Sequence, residues 1–236
     1  MADNDDPMET AGPWEPPREP PREPPREPMF NIPWPVMTLF GVLLAAFAVQ
    51  SLFGVDALAD RYGFRPTDLS DGRYETMVTA LFLHGGWPHV LMNAGFLVAF
   101  GTPVSRRFGL DGRGVAGFFV FYMVCGVLAN LGYAALNPGS ADPVIGASGA
   151  VSGLMGAGSR LLWRRGDLAP FTSQPVVGLA VAWVLINVLF GAVLKGWTPG
   201  SGGAPVAWQA HLVGFAVGLF LLSPALHILG RRSITA

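Results

Sequence analysis

The sequence predicts an all-α membrane protein, a bundle of six transmembrane helices with both termini in the cytoplasm. Three observations lead to this fold class: few charged residues, six long apolar stretches, and an uneven distribution of arginine. Of the 236 residues, 51% are hydrophobic and only 13% are charged, whereas a soluble domain has about 25% charged residues. Eleven of the charged residues lie in the first 28 positions. The remainder lacks the polar surface that a soluble enzyme needs.

The net charge and the cysteine content exclude other classes. A formal net charge of −1 without a basic cluster does not allow the many phosphate contacts of a nucleic-acid-binding protein. The single cysteine, Cys125, excludes an intrachain disulfide framework and any multi-cysteine metal site.

The first element, residues 1–33, is a proline-rich tail. After an acidic start, the motif Glu-Pro-Pro-Arg repeats between Glu15 and Pro28. Proline fixes φ and removes backbone donors, so the repeat favours solvated polyproline II. We expect a disordered cytoplasmic tail. The alternative is a ligand for a proline-reading domain.

Six apolar stretches follow, and together they predict a membrane domain over residues 34–230 with a short cytoplasmic C-terminus at 231–236. A bilayer-spanning helix needs about 20 apolar residues. The second stretch is interrupted by Gly85, Gly86 and Pro88. Proline suits the first turn of a helix, so we expect its spanning helix to begin near Trp87. The candidate spans are residues 35–53, 76–101, 115–136, 144–163, 176–194 and 205–229.

The basic residues orient these spans. With six spans, the tail, the second and fourth loops and the C-terminus share one side of the membrane. That side holds 11 of the 15 Lys and Arg residues, and the other side holds Arg61, Arg65, Arg73 and Lys195. The positive-inside rule then places both termini in the cytoplasm.

The fourth span opens with a glycine-rich motif around Ser148. Gly149, Gly153 and Gly156 recur at i, i+4 and i+7, a small-residue stripe that lets a neighbouring helix approach closely. Ser148 lies about 100° round the helix from Gly149, so helix packing does not account for it. A membrane serine often bonds back to its own helix. The other interpretation is a nucleophile.

The sixth span places a histidine on a glycine face. His211, Gly214 and Gly218 recur at i, i+3 and i+7, so this face can pack against the stripe of the fourth span. A histidine beside a serine in a dry site is a general base next to a nucleophile. The alternative is a structural histidine bonded to a carbonyl group.

The second span carries His89 and Asn93 at i and i+4, so both side chains point the same way. Such donors suit a developing oxyanion. His84 lies across Pro88, where we expect it to tie the loop to the start of the helix. A zinc site is the competing interpretation, but His-Glu-x-x-His is absent and no Asp or Glu lies inside a span.

Taken together, these motifs resemble the rhomboid family of intramembrane serine proteases, in its bacterial six-span type. The resemblance covers residues 37–229 and rests on His84 with His89-x-x-x-Asn93, on Gly146-x-Ser148-Gly149, and on Ala210-His211-x-x-Gly214-x-x-x-Gly218. It implies a rhomboid-like bundle in which Ser148 is the nucleophile and His211 the general base. It also implies an oxyanion hole formed by His89, Asn93 and the Ser148 backbone amide.

Two positions depart from the family pattern. Family members often carry Trp-Arg before the second span, where this chain reads Tyr74-Glu75-Thr76. Bacterial members have a tyrosine that stacks on the catalytic histidine, and here that position is Ser152. Something else must then position His211, such as Trp208 or nearby backbone.

The resemblance further implies partners and location. The substrates would be single-span membrane proteins cut in or near their transmembrane segment, within the lipid bilayer of a bacterial cytoplasmic membrane. No metal, no organic cofactor and no nucleic acid would take part, and the sequence does not define an oligomeric state. One alternative is a non-catalytic rhomboid-like protein that binds membrane clients. The other is a transporter, which the absence of internal repeats disfavours.

Overall fold

The computed structural model describes residues 31–161, 167–194 and 206–231. The Glu-Pro-Pro-Arg repeat and residues 232–236 lie outside these ranges, so the predictions about the two termini concern residues that the structure does not describe. The regular secondary structure in the described part of the chain is helical, apart from an isolated antiparallel bridge between Phe64 and Val144. The helices are α1 (Trp34–Phe53), α2 (Val55–Tyr62), α3 (Thr76–Thr79), α4 (Trp87–Phe108), α5 (Gly112–Leu136), α6 (Ser148–Ser159), α7 (Gln174–Val188) and α8 (Trp208–Ile228).

Helix ends follow from local sequence. Pro88 occupies the first turn of α4, which begins at Trp87 as predicted, because proline is pre-set for this position and has no N–H to leave unbonded. Gly109 ends α4 at φ 95°, a conformation that glycine adopts readily. Asp111 then caps α5 by accepting a hydrogen bond from the Gly114 amide at 3.1 Å.

The fourth predicted span differs from the observed helix at its start. Residues 144–147 were expected to be helical, but α6 begins at Ser148. Val144 instead forms two backbone hydrogen bonds with Phe64, at 3.0 and 2.7 Å, and Gly146 takes a φ of 123°. Neither arrangement is compatible with a right-handed helix, so the loop delivers Ser148 as the first helical residue.

Helix α6 lies at the centre of the fold, with every residue from Gly149 to Ser159 buried. The predicted glycine contact with α8 is confirmed. A Cβ atom on Gly214 would lie 2.1 Å from the Gly149 carbonyl oxygen, and one on Gly218 would lie 1.8 Å from that of Gly153. Only glycine permits this approach of two backbones. The close contact brings the first turns of α6 and α8 together.

Two arginines, Arg65 and Arg73, anchor the segment between α2 and α3. Asp68 is buried, accepts from the Arg65 backbone amide at 2.9 Å and pairs with the Arg73 guanidinium at 3.1 Å. The Arg65 side chain also donates to the Ala141 carbonyl at 2.9 Å. These bonds hold the segment against the loop that leads into α6.

Four helices in the described part of the chain are long and apolar enough to cross a membrane: Trp34–Phe53, Gly112–Leu136, Gln174–Val193 and Trp208–Ile228. The third is α7 continued by a π-helical turn, Leu189–Val193. The other two predicted spans correspond to α4 and α6. The last turn of α4 carries Arg106 and Arg107, and α6 is 12 residues long. The structure therefore supports an all-α membrane protein, and the count of six spans stays a prediction.

Candidate active site

The structure brings Ser148 and His211 into hydrogen-bonding contact. Ser148 is the first residue of α6, and His211 lies in the first turn of α8. The distance from Ser148 Oγ to His211 Nε2 is 2.8 Å, within the range of a direct hydrogen bond. The two residues are 63 positions apart in the chain, and the glycine contact between α6 and α8 accounts for their meeting.

A third residue, Asn187 of α7, contacts the other side of the His211 ring. Its Oδ1 lies 2.7 Å from His211 Nδ1, and its Nδ2 donates to the Trp183 carbonyl at 2.9 Å. Asn187 is only 5% exposed. Asn187 is not among the site residues predicted from the sequence. An asparagine in the middle of an apolar span was the available signal, because strongly polar groups there are costly and suggest function.

Trp208 and nearby backbone were the two candidates for positioning His211, and neither is bonded to the ring nitrogens, which contact Ser148 and Asn187. Trp208 packs against Gly191, whereas the ring of Trp183 lies 6.1 Å from the His211 ring, tilted by 34°. Ser152 is buried one turn below Ser148. Because Ser148 and Asn187 engage the two ring nitrogens of His211, the Ser152 hydroxyl is not the group that orients the histidine.

His89 faces the space beside Ser148. The Gly85 amide donates to His89 Nδ1 at 3.3 Å, so in the neutral ring Nε2 carries the proton and is a donor. His89 Nε2 lies 2.8 Å, and Ser148 Oγ 3.6 Å, from the point that a Cβ atom on Gly146 would occupy. The missing side chain of Gly146 thus leaves room between the hydroxyl and the histidine donor.

Two further donors belong to this region. Asn93 is buried in α4, and its amide donates to the His89 carbonyl at 3.1 Å, which leaves its second N–H available. The Ser148 amide lies at the N-terminus of α6, where the first N–H groups of a helix have no acceptor within it. With His89, these are the three groups assigned to an oxyanion hole from the sequence. The structure gives their surroundings, and their role is a prediction.

His84 has a structural position. Its backbone amide donates to Gln50 Oε1 at 2.9 Å, and its Nε2 accepts from the Ala147 amide at 3.4 Å. Its ring meets the His89 ring edge-on at 5.0 Å. The sequence predicts that His84 ties its loop to the start of the second span. In the structure its hydrogen bonds go to Gln50 of α1 and to Ala147, the residue preceding Ser148.

The fold and site define a helical membrane protein with a serine–histidine pair at the start of a buried central helix. The chain belongs to the rhomboid family, since the rhomboid domain matches residues 71–227. This family membership places it among membrane proteases. The match begins after α1 and α2, and it includes Ser148, His211, Asn187, His89 and Asn93.

Two curated relatives are similar over parts of the chain. A Bacillus subtilis (strain 168) protein named "Putative rhomboid protease YdcA" is 29% identical over 156 residues, which are 66% of this chain and 68% of that protein. The Arabidopsis thaliana protein named "RHOMBOID-like protein 9, chloroplastic" is 35% identical over 105 residues, which are 44% of this chain and 22% of that protein. The chain therefore matches about two thirds of the bacterial relative and about a fifth of the plant one.

Proposed function

We propose that this protein is an intramembrane serine endopeptidase that cleaves single-span membrane proteins in or near their transmembrane segment. The observation that carries the proposal is the 2.8 Å contact between Ser148 Oγ and His211 Nε2, beside a histidine N–H donor. A serine hydroxyl bonded to a neutral imidazole is the arrangement of an activated nucleophile. Membership of the rhomboid family supports the same chemistry.

The reaction follows from the positions of these groups. Ser148 Oγ attacks the peptide carbonyl carbon while its proton passes to His211 Nε2, and the carbonyl oxygen becomes an oxyanion. His89 Nε2–H, the Ser148 N–H and the Asn93 amide stabilise that charge. His211 then gives the proton to the leaving amine. A water molecule then attacks the acyl-enzyme through the same steps, which restores Ser148.

Water and substrate reach Ser148 from different directions in this proposal. Residues 141–143, just before α6, are exposed, and they place the serine near the outer end of its helix, where water enters. The substrate comes from the lipid beside α7, whose buried residues are Val176 and Asn187 alone. A helix with so few buried side chains separates more easily from the bundle than α6 does. Small or helix-breaking residues would help the substrate to unwind.

The proposed topology has six spans, both termini in the cytoplasm, and a bacterial cytoplasmic membrane as the location. The basic residues support it: Arg107, Arg160 and Arg231 line one cavity of about 310 Å³, so the ends of α4, α6 and α8 lie on the same side. Arginines gathered at one membrane face indicate the cytoplasmic side.

Incubating the purified protein with a single-span model substrate tests the proposed function. We expect two fragments cut within or beside the transmembrane segment, and full inhibition by a serine-reactive phosphonate. Intact substrate after prolonged incubation in both detergent and liposomes would contradict the proposal and favour a client-binding role.

Replacing Asn93 by alanine is expected to slow turnover roughly 10- to 1000-fold without abolishing it, the usual scale for one lost oxyanion donor. His89→Ala should be similar or worse, because His89 Nε2 and Ser148 Oγ border the same space at Gly146. Steady-state kcat of each variant is the measurement. An unchanged kcat in both would show that the oxyanion is stabilised by other groups.

Removal of the proline-rich tail, residues 1–28, is expected to leave activity in detergent nearly unchanged. The repeat has no apolar surface to pack, and the proposed topology places it on the side opposite the active site. Comparing kcat/KM of the full chain and the truncated chain measures this. A large loss in kcat on truncation would show that the tail docks on the membrane domain.

A further inference from the structure

Asn187 occupies an unusual position on α7. The exposed residues of this helix include Val177, Val181, Val184, Leu185 and Ile186, yet Asn187 is buried and reaches His211. A π-helical turn, Leu189–Val193, follows directly after it, and such turns occur often at functional sites. The buried asparagine is therefore the polar group through which α7 contacts the Ser148–His211 pair.

The hydrogen bonds of Asn187 determine which way its amide faces. The Trp183 carbonyl oxygen can only accept, so the amide atom 2.9 Å from it must be the donor Nδ2. The amide oxygen Oδ1 then faces His211 Nδ1 at 2.7 Å. The orientation of the amide thus depends on a backbone carbonyl of its own helix, one turn earlier.

The amide orientation in turn determines the state of the histidine. Oδ1 can only accept, so Nδ1 of His211 carries the proton. In the neutral ring Nε2 then holds the lone pair, and it accepts the proton of the Ser148 hydroxyl at 2.8 Å. Three hydrogen bonds run in one direction, from Ser148 through His211 and Asn187 to the Trp183 carbonyl. The opposite tautomer would place two lone pairs against each other at 2.7 Å.

We propose that Asn187 is a positioning residue that holds His211 in the tautomer and orientation in which Nε2 acts as the general base, so that the site works as a Ser148–His211–Asn187 triad. This proposal rests on the proposed peptide hydrolysis at Ser148. An asparagine holds the histidine in the papain-like cysteine proteases. A neutral amide also suits a membrane-embedded site, because it orients the ring without placing a second charge in the bilayer.

The absence of an aromatic residue at position 152 agrees with this role. The resemblance to the family implies a tyrosine at that position stacked on the histidine ring, and Ser152 provides no ring. In this chain the ring is held by hydrogen bonds at both nitrogens, with Trp183 beside it. Two bonds at opposite ends of the imidazole restrict its rotation as stacking does.

Asn187→Leu tests the proposal, because leucine has a similar size but no acceptor. We expect kcat to fall about 10- to 100-fold. This decrease lies between the effect of losing one neutral hydrogen bond and the larger effect of losing the correct tautomer. The rate of phosphonate labelling of Ser148 should fall in parallel. KM should change by less than about twofold, since Asn187 does not contact the substrate in the proposed reaction.

Asn130→Leu is the matched control. Asn130 is also a buried asparagine in an apolar helix, and its amide donates to the Met77 carbonyl at 2.9 Å. It is far from His211 in the sequence, and this hydrogen bond does not involve His211. If asparagines serve only to join helices, both variants will lower Tm and neither will change the rates of the folded protein. Equal effects of the two substitutions on the labelling rate would overturn the proposal.

NMR of the protein labelled with 15N-histidine provides a readout that does not depend on proteolysis. We expect Nδ1 of His211 to carry the proton in the wild type, and the population to shift towards Nε2–H in Asn187→Leu. A wild-type ring protonated at Nε2, or no shift in the variant, would refute the role of Asn187. If the wild type shows the expected tautomer but cleaves no substrate, the proposed function is refuted and the positioning role of Asn187 stands.

Discussion

Replacing Ser148 by alanine is expected to reduce cleavage of a single-span substrate to background, a loss on the order of 10⁴- to 10⁶-fold. The hydroxyl is the attacking group in the proposed reaction, and it lies 2.8 Å from Nε2 of His211, the proposed base. Alanine removes a single oxygen atom from a half-buried site, so the fold should remain intact. The measurement is fragment formation by the purified variant, with Tm recorded alongside.

His211→Ala should reduce cleavage to a similar extent, and the double variant should be no worse than either single one. The two residues act as a unit, so removing one already disables the other. Additive losses would show that each contributes separately. Substantial cleavage by Ser148→Ala would show that the nucleophile has been wrongly assigned.

Ser152 provides the matched control for Ser148. It lies on the same helix about 6 Å deeper and is buried, and the two ring nitrogens of His211 are already engaged by Ser148 and Asn187. Ser152→Ala is expected to lower activity by less than about tenfold, because its hydroxyl engages neither nitrogen of His211 and its loss removes at most about one neutral hydrogen bond. Mass spectrometry after reaction with a fluorophosphonate should find the adduct on Ser148. An adduct on Ser152 would reverse the two roles.

The sequence predicts the parts of the fold that depend on local rules. The start of α4 at Trp87 follows from the position of Pro88, and the contact of α6 with α8 follows from the spacing of Gly149 and Gly153 against Gly214 and Gly218. Proline geometry and helical periodicity are properties of neighbouring residues. They are therefore readable without knowing how the helices pack.

The features that the sequence does not predict depend on how segments distant in the chain meet. Asn187 contacts His211 because of the rotation of α7 relative to α8, which periodicity does not define. The anchoring of Asp68 by Arg65 and Arg73 involves charged residues in an irregular segment, where no repeat indicates partners. The late start of the fourth predicted span, at Ser148 instead of Val144, arises from the pairing of Phe64 with Val144, 80 positions apart in the printed sequence.

Gly146→Ala is expected to reduce kcat by about 1000-fold or more, as when more than one oxyanion donor is disturbed. A Cβ atom at this position would lie 2.8 Å from His89 Nε2 and 3.0 Å from its Cε1. At that separation the His89 ring must move, which takes its N–H away from the site. The methyl group would also occupy the space beside Ser148 Oγ, 3.6 Å away, where the carbonyl oxygen of the substrate has to fit.

Backbone strain is the competing explanation, because Gly146 has a φ of 123° and a non-glycine residue in such a conformation costs about 1–3 kcal/mol. Gly139→Ala separates the two effects. Gly139 precedes α6 in the same loop with a φ of 79°, and a Cβ there would meet no atom within 4 Å. We expect both variants to lower Tm, whereas kcat of folded Gly139→Ala should stay within about twofold of wild type. Equal losses of kcat in the two variants would show that strain, rather than the blocked space between His89 and Ser148, inactivates the protein.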